Sequence, residues 1–127
     1  MTGPASGGFR LVILDEVKEV LHELRSTDRK TLDCVTEAIT ALRREGPGLS
    51  RPLAARIGGS RLNLRELRPR SGNAMAMRIL YIFDLERRVV LLVAGNKAGD
   101  WNRWYVDAVP LAEERYEQYL KLIEEGA

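Results

Sequence analysis

The sequence predicts an α+β domain, an antiparallel meander sheet with an added N-terminal strand, packed against a helical hairpin and a C-terminal helix. Three observations carry that expectation. Between residues 15 and 46 apolar side chains recur at helical spacing in two successive runs. Between 61 and 95 the period changes, first to alternation and then to nearly unbroken apolar stretches. After Pro110 the helical spacing returns. Helices gathered ahead of a meander, rather than alternating with its strands, imply an antiparallel sheet, expected here with the helices on one face.

Taken in order, residues 1–8 are small and read as a flexible leader, leaving residues 9–127 as a single domain. Phe9 to Leu14 is a short β-prone run. Asp15 then stands as an N-cap, with Val17, Val20, Leu21 and Leu24 on one stripe of a helix near 15–25. Ser26-Thr27-Asp28 caps a second helix carrying Leu32, Val35, Ile39 and Leu42, which stops at Gly46-Pro47-Gly48. Arg61 to Arg68 begins with clean alternation and reads as the second strand. Met75 to Asp84 is the third, and Val89 to Gly95, apolar on both faces, is the fourth. Pro69 to Asn73 and Asp84 to Arg88 suit tight connections. Pro110 is expected at the first position of the last helix, with Ala112, Tyr116, Tyr119 and Ile123 at helical spacing.

Composition removes several classes of function. With 127 residues the chain is one domain, long enough to fold without a metal or disulfides. One cysteine (Cys34) excludes an internal disulfide framework and a thiolate zinc site; one histidine (His22) excludes a two-histidine mechanism. Neither a signal peptide nor an apolar run of about 20 residues is visible, so the cytoplasm is the expected compartment and no membrane the expected partner. Net charge is only +2, but its distribution is uneven. Residues 51–104 carry eleven basic and four acidic side chains, whereas 105–127 carry two and six. A basic middle between neutral and acidic flanks suits an anion-binding surface.

Within that middle, Glu66-Leu67-Arg68 ends the second strand, either as a charge pair at the sheet edge or at a bulge. Arg78 stands in an otherwise apolar strand and needs an anionic partner, which Glu66 or a phosphate would supply. Lys97 follows the most apolar strand, where a rigid frame ends; a plain surface lysine is the alternative. Trp101 to Tyr105 places both tryptophans beside Arg103. Such a cluster suits stacking on unpaired bases, and equally the packing of a helix on the sheet. His22 reads as a surface residue and Cys34 as a small core residue.

The runs Leu64 to Arg68, Arg78 to Asp84, Val90 to Lys97 and Ala112 to Arg115 together resemble the RelE/ParE toxin superfamily, most of all its phage-derived, HigB-like branch. The resemblance covers roughly residues 10–124 and implies a RelE-like fold. It further implies a type II toxin that arrests growth as a metal-independent endoribonuclease, cleaving mRNA on the ribosome through the 2′-hydroxyl, without a cofactor. A cognate helix-turn-helix antitoxin, mRNA and the ribosome are the implied partners. By that resemblance Arg68, Arg78 and Lys97 hold the scissile phosphate. For cleavage through the 2′-hydroxyl, Lys97 serves alternatively as a base if burial lowers its pKa, and Tyr105, or Tyr81 if it faces the site, is the candidate acid. Arg61, Arg65, Arg70, Arg103 and Trp104 are the candidate RNA contacts. Two alternatives stay open: a ParE-like inhibitor of DNA gyrase without nuclease activity, and an inactive binding module.

Overall fold

The computed structural model describes residues 9–70, 76–97, 99 and 101–126, with Trp101 described by its backbone alone. The expected leader 1–8, the end of the 69–73 connection and the packing of the Trp101 ring lie outside the described residues.

Strand β1 (Arg10–Ile13) runs into helix α1 (Asp15–Thr27). The helix begins at Asp15 itself, with extended Leu14 as its N-cap, so Asp15 is not the cap that the sequence suggested. Asp15 and Glu16 sit instead in the first turn, where negative charge complements the helix dipole. Asp28 alone separates α1 from α2 (Arg29–Glu45) and caps it. Its carboxylate accepts the Thr31 N–H at 3.2 Å and the Thr31 hydroxyl at 2.6 Å. Gly46 ends α2 at φ +57°, pressed so close to Phe9 that a Cβ would lie 2.7 Å from its ring.

A 3-10 turn (Gly46–Gly48) leads to β2 (Ala54–Arg56), a strand too short and too weakly patterned to stand out in the sequence. The run expected as one strand over 61–68 yields only β3 (Arg65–Leu67). Its first residues are drawn toward the last helix, because the Ser60 hydroxyl and the Arg61 N–H both donate to the Glu113 carboxylate, at 2.7 and 3.1 Å. Strands β4 (Met77–Phe83) and β5 (Arg88–Asn96) follow, and α3 (Trp101–Gly126) closes the chain. The sheet order is β1-β5-β4-β3-β2, with β1 parallel to β5 and the other pairs antiparallel.

The helices divide between the two faces, where one covered face was expected. Val17, Val35, Ile39 and Leu42 of the hairpin pack on Leu67, Ile79, Tyr81 and Leu91. Ala108, Ala112 and Tyr116 of α3 pack on Leu64, Leu80, Ile82, Val90 and Leu92. The physical reason lies in β4 and β5, whose alternate side chains are apolar in both directions, so each face needs a cover. Each buried leucine contributes about 1.5–3 kcal/mol, which also explains why α3 extends back past Pro110 to Trp101. Trp104, Ala108, Ala112 and Tyr116 form one i,i+4 stripe on the sheet, and that packing outweighs the hydrogen bond that proline forgoes.

Register slips by one residue between Leu80 and Tyr81, so that Leu92 has no opposite number and bulges toward α3 beside Val93. Arg115 of α3 donates to the Leu92 carbonyl at 2.8 Å, clamping the bulge. Asp84 closes the β4–β5 turn: its carboxylate accepts from the Glu86 and Arg88 backbone at 3.0 and 3.1 Å and from the Arg88 guanidinium at 2.6 Å.

Candidate active site

The ends of β3, β4 and β5 meet beneath the first turns of α3. Strand alternation sends Leu67 into the hairpin core, and so sends Glu66 toward α3. On β4, Met77 and Ile79 face the hairpin while Arg78 and Leu80 face α3. Arg78 stands opposite Gly95 of β5. The missing side chain at Gly95 is what admits Trp104, since a Cβ there would lie 2.7 Å from the indole nitrogen. Trp104 in turn meets Tyr105 edge to face, with ring centres 5.1 Å apart.

Glu66 organises the interior of this cluster. Its Oε1 accepts a short hydrogen bond from the Tyr105 hydroxyl and lies 3.5 Å from the Arg78 Nε. Both charged side chains are nearly enclosed, Arg78 at 7% exposure and Glu66 at 13%. Arg78 also donates to its neighbour's carbonyl, that of Met77, at 2.7 Å. Burial and then the Glu66 carboxylate push the Tyr105 hydroxyl up to about 12, against the opposing pull of Arg78. Tyr105 is therefore protonated at neutral pH and holds a proton that it can donate.

Lys97 and Arg68 form the more open side. Lys97 follows β5, its N–H donating to the Ala76 carbonyl at 2.9 Å; Arg68 follows β3, its N–H donating to Leu53 at 2.7 Å. Burial and the Arg78 guanidinium hold the Lys97 ammonium below its ordinary value, with Arg68 adding to the effect and Glu66 opposing it. These four charged groups thus share one field. An oxyanion placed between Lys97 and Arg68 would relieve the repulsion that they feel now.

The other sequence candidates divide. Trp104 belongs to the cluster. Arg103 is exposed on α3, 3.8 Å from Asp107. Arg61 is engaged by Glu117 at 2.8 Å and Glu113 at 3.7 Å, tying the β2–β3 connection to α3. Arg65 lies on the hairpin side, donating to the Pro47 carbonyl at 3.1 Å and lying over the Phe83 ring. Arg70 borders a shallow groove with Cys34 and Glu37 of α2. Tyr81 is fully buried in the hairpin core, away from the cluster, where burial raises its hydroxyl. The sequence offers Glu66 only as a possible partner of Arg78, although its place two residues before Arg68 on an alternating strand carried the signal for a site residue. Among the described residues, no three His, Cys, Asp or Glu side chains gather as metal ligands, and no helix is long and apolar enough to cross a membrane.

Residues 22–117 match a family profile described as phage-derived protein Gp49-like. Two candidate toxins of Mycobacterium tuberculosis (strain ATCC 25618 / H37Rv) are similar to the chain. HigB2 is 40% identical over 111 residues, covering 87% of this chain. HigB3 is 38% identical over the same length, covering 87% of this chain and 92% of its own. The chain spans 55% of the length of HigB2. Among solved structures, a mutant of the E. coli toxin RelE in the free state superposes with a TM-score of 0.55 at 14% identity, over 87% of this chain and 97% of that one. The YoeB dimer from Staphylococcus aureus gives 0.53 at 14% identity, over 67% and 92%. These two likenesses concern the fold.

Proposed function

Because the chain belongs to the phage-derived Gp49-like family, within the HigB-like branch of the RelE superfamily, we propose that it is the toxin of a toxin–antitoxin pair and cuts messenger RNA on the ribosome. The observation that supports this reading is the cluster of Arg68, Arg78 and Lys97 around Glu66 and Tyr105 at one end of the sheet. RNA carries its own nucleophile, so the protein needs to supply placement, positive charge and a proton donor, none of which requires a metal ion.

The 2′-hydroxyl gives its proton to water as its oxygen attacks the adjacent phosphorus, the bond from phosphorus to the 5′-oxygen breaks, a 2′,3′-cyclic phosphate and a 5′-hydroxyl result, and water returns to Tyr105 the proton that it donates. Arg68 and Lys97 hold the non-bridging oxygens as charge builds on them. Arg78, enclosed beside Glu66, adds its field from beneath. Tyr105, kept protonated, donates to the departing 5′-oxygen. Trp104 frames the site beside Tyr105. A cognate antitoxin of the helix-turn-helix type holds the toxin in check.

Purified protein mixed with programmed ribosomes tests the reading. New mRNA 5′ ends bearing hydroxyl groups are the expected product, mapped by primer extension. Gyrase supercoiling is measured alongside; its loss with intact mRNA would replace this reading by the gyrase-inhibitor one.

A further inference from the structure

Strand β5 breaks its own alternation once, and the break decides what reaches the reactive cluster. Val90 and Leu92 pack on α3 and Leu91 on the hairpin, as a regular strand requires. Val93 should then turn to the hairpin, yet it packs on α3 beside Leu92, and Ala94 is the residue that returns to the hairpin side. The cause is one extra residue. Strand β4 pairs Tyr81 with Leu91 and Leu80 with Val93, so Leu92 has no opposite number. Every later residue of β5 is displaced by one position, and a displacement of one moves a side chain to the other face. Gly95 thereby lies opposite Arg78 and beneath the Trp104 indole. The ladder continues to Lys97, whose N–H donates to the Ala76 carbonyl at 2.9 Å, so Lys97 shares the face of Gly95. On an unbulged strand Lys97, an odd number of residues after Val90, would fall on the hairpin side, away from Arg68 and Arg78.

The bulge is held from outside the sheet. Arg115, half-buried on α3, donates from its guanidinium to the carbonyl of the unpaired Leu92 at 2.8 Å. Resting on the nuclease reading, we propose that Arg115 is a positioning residue for cleavage: by fixing the Leu92 bulge it keeps Lys97 and Gly95 on the face that carries Arg68, Arg78 and Tyr105. Helix α3 then has two tasks. Its first turns bring Tyr105 to Glu66 and Trp104 to Gly95. Further along, Arg115 fixes the strand that delivers Lys97 to the same place. The helix and the strand end are thus registered to each other at two points, as a site assembled from both requires.

Arg115→Met keeps the apolar stem and removes the donor; Arg115→Gln keeps a polar end too short to reach Leu92, and carries the test if the methionine variant fails to fold. Lys97 is read by NMR titration of the full chain with labelled lysine, its signal assigned through Lys97→Arg. In the unaltered chain the ammonium should titrate below its ordinary value, because burial and then Arg78 act on it. Arg115 is not among the charges that shift it, so the variants reach it only through the strand, and in both it should return toward the ordinary value. Cleavage of ribosome-bound mRNA should fall about 100-fold in Arg115→Met. Lys97→Ala alone should cost about 100-fold, but only about twofold on top of Arg115→Met, since the two act as one unit. An arginine that merely stabilised the fold would leave the two losses multiplicative. A Lys97 that titrates ordinarily in the unaltered chain, one that does not move when Arg115 is replaced, or a Lys97→Ala loss that stays full beside Arg115→Met would each overturn the proposal. A Lys97 moved by Arg115→Met in a chain that cuts no mRNA would sustain the coupling and overturn the nuclease reading, whereas cleavage with an unmoved Lys97 would do the reverse.

Discussion

Arg78 and Arg68 are both arginines at one site, and their surroundings make opposite tests of them. The Arg78 guanidinium is enclosed beside Glu66, so Arg78→Ala strands a carboxylate and should cost about 3 kcal/mol, read as a lower melting temperature accompanying lost cleavage. Arg68 is only half buried at a strand end. Arg68→Ala should change stability by no more than about 0.5 kcal/mol while cleavage falls ~100-fold, as when one preorganised donor is deleted. Normal cleavage by the folded variant would remove Arg68 from the site. Tyr105 gives a third test through pH. Its folded value of about 12 lies above the ordinary 10.0, so the folded state holds this proton more tightly. The stability linked to it is complete below pH 10 and is lost as pH rises from about 10 toward about 12. Tyr105→Phe should flatten that decline without abolishing it, because burial also raises Tyr81 and Tyr116. Urea midpoints at about pH 9 and about pH 11 measure the difference; an unchanged slope would mean that Tyr105 is neither buried nor held by Glu66 in solution.

Elements with a strong period were legible in the sequence, and elements set by single contacts were not. The hairpin reads directly from two apolar stripes and the cap at Asp28, while β4 and β5 read from their apolar runs. Strand β2 is three residues long and has no alternation to read. Strand β3 is shortened by contacts of Ser60 and Arg61 with Glu113, more than fifty residues away in the chain. Pro110 signalled a helix start because a lost hydrogen bond is a local cost, whereas the Trp104–Tyr116 stripe that outweighs it exists only once the sheet is formed. At the site, Arg78, Lys97 and Tyr105 were legible as charges and aromatics in the wrong company. Glu66 was visible as a possible partner but not as the group on which Tyr105 and Arg78 converge, which depends on how α3 crosses the sheet. Gly95 belongs to this same crossing. Gly95→Ala puts a methyl against the Trp104 indole and should cost about 1–3 kcal/mol by overpacking, with a shift in tryptophan emission; unchanged stability and emission would show that α3 rides freely on β5.

Across the whole molecule, the basic middle of the sequence does not become one basic surface, because the sheet divides it. Arg65 and Arg70 go to the hairpin side, Arg61 is neutralised by Glu113 and Glu117, Arg88 by Asp84, and Arg78 by Glu66. Arg68 and Lys97 lie on the α3 side within each other's field. That division sets the salt dependence of RNA binding. Each phosphate neutralised on a single strand contributes about −0.7 to the slope of log affinity against log salt concentration. Two contacts predict a slope near −1.4, and four, with Arg65 and Arg70 included, a slope near −2.8. The shallow value is expected for the isolated chain with a short uncleavable RNA, measured by fluorescence anisotropy across a salt series. In Arg68→Ala it should fall by about 0.7, whereas Arg65→Ala should leave it unchanged. A steep slope that Arg65→Ala reduces would mean that RNA wraps around the edge of the sheet to the hairpin side, and that the sheet does not confine the substrate to the face covered by α3.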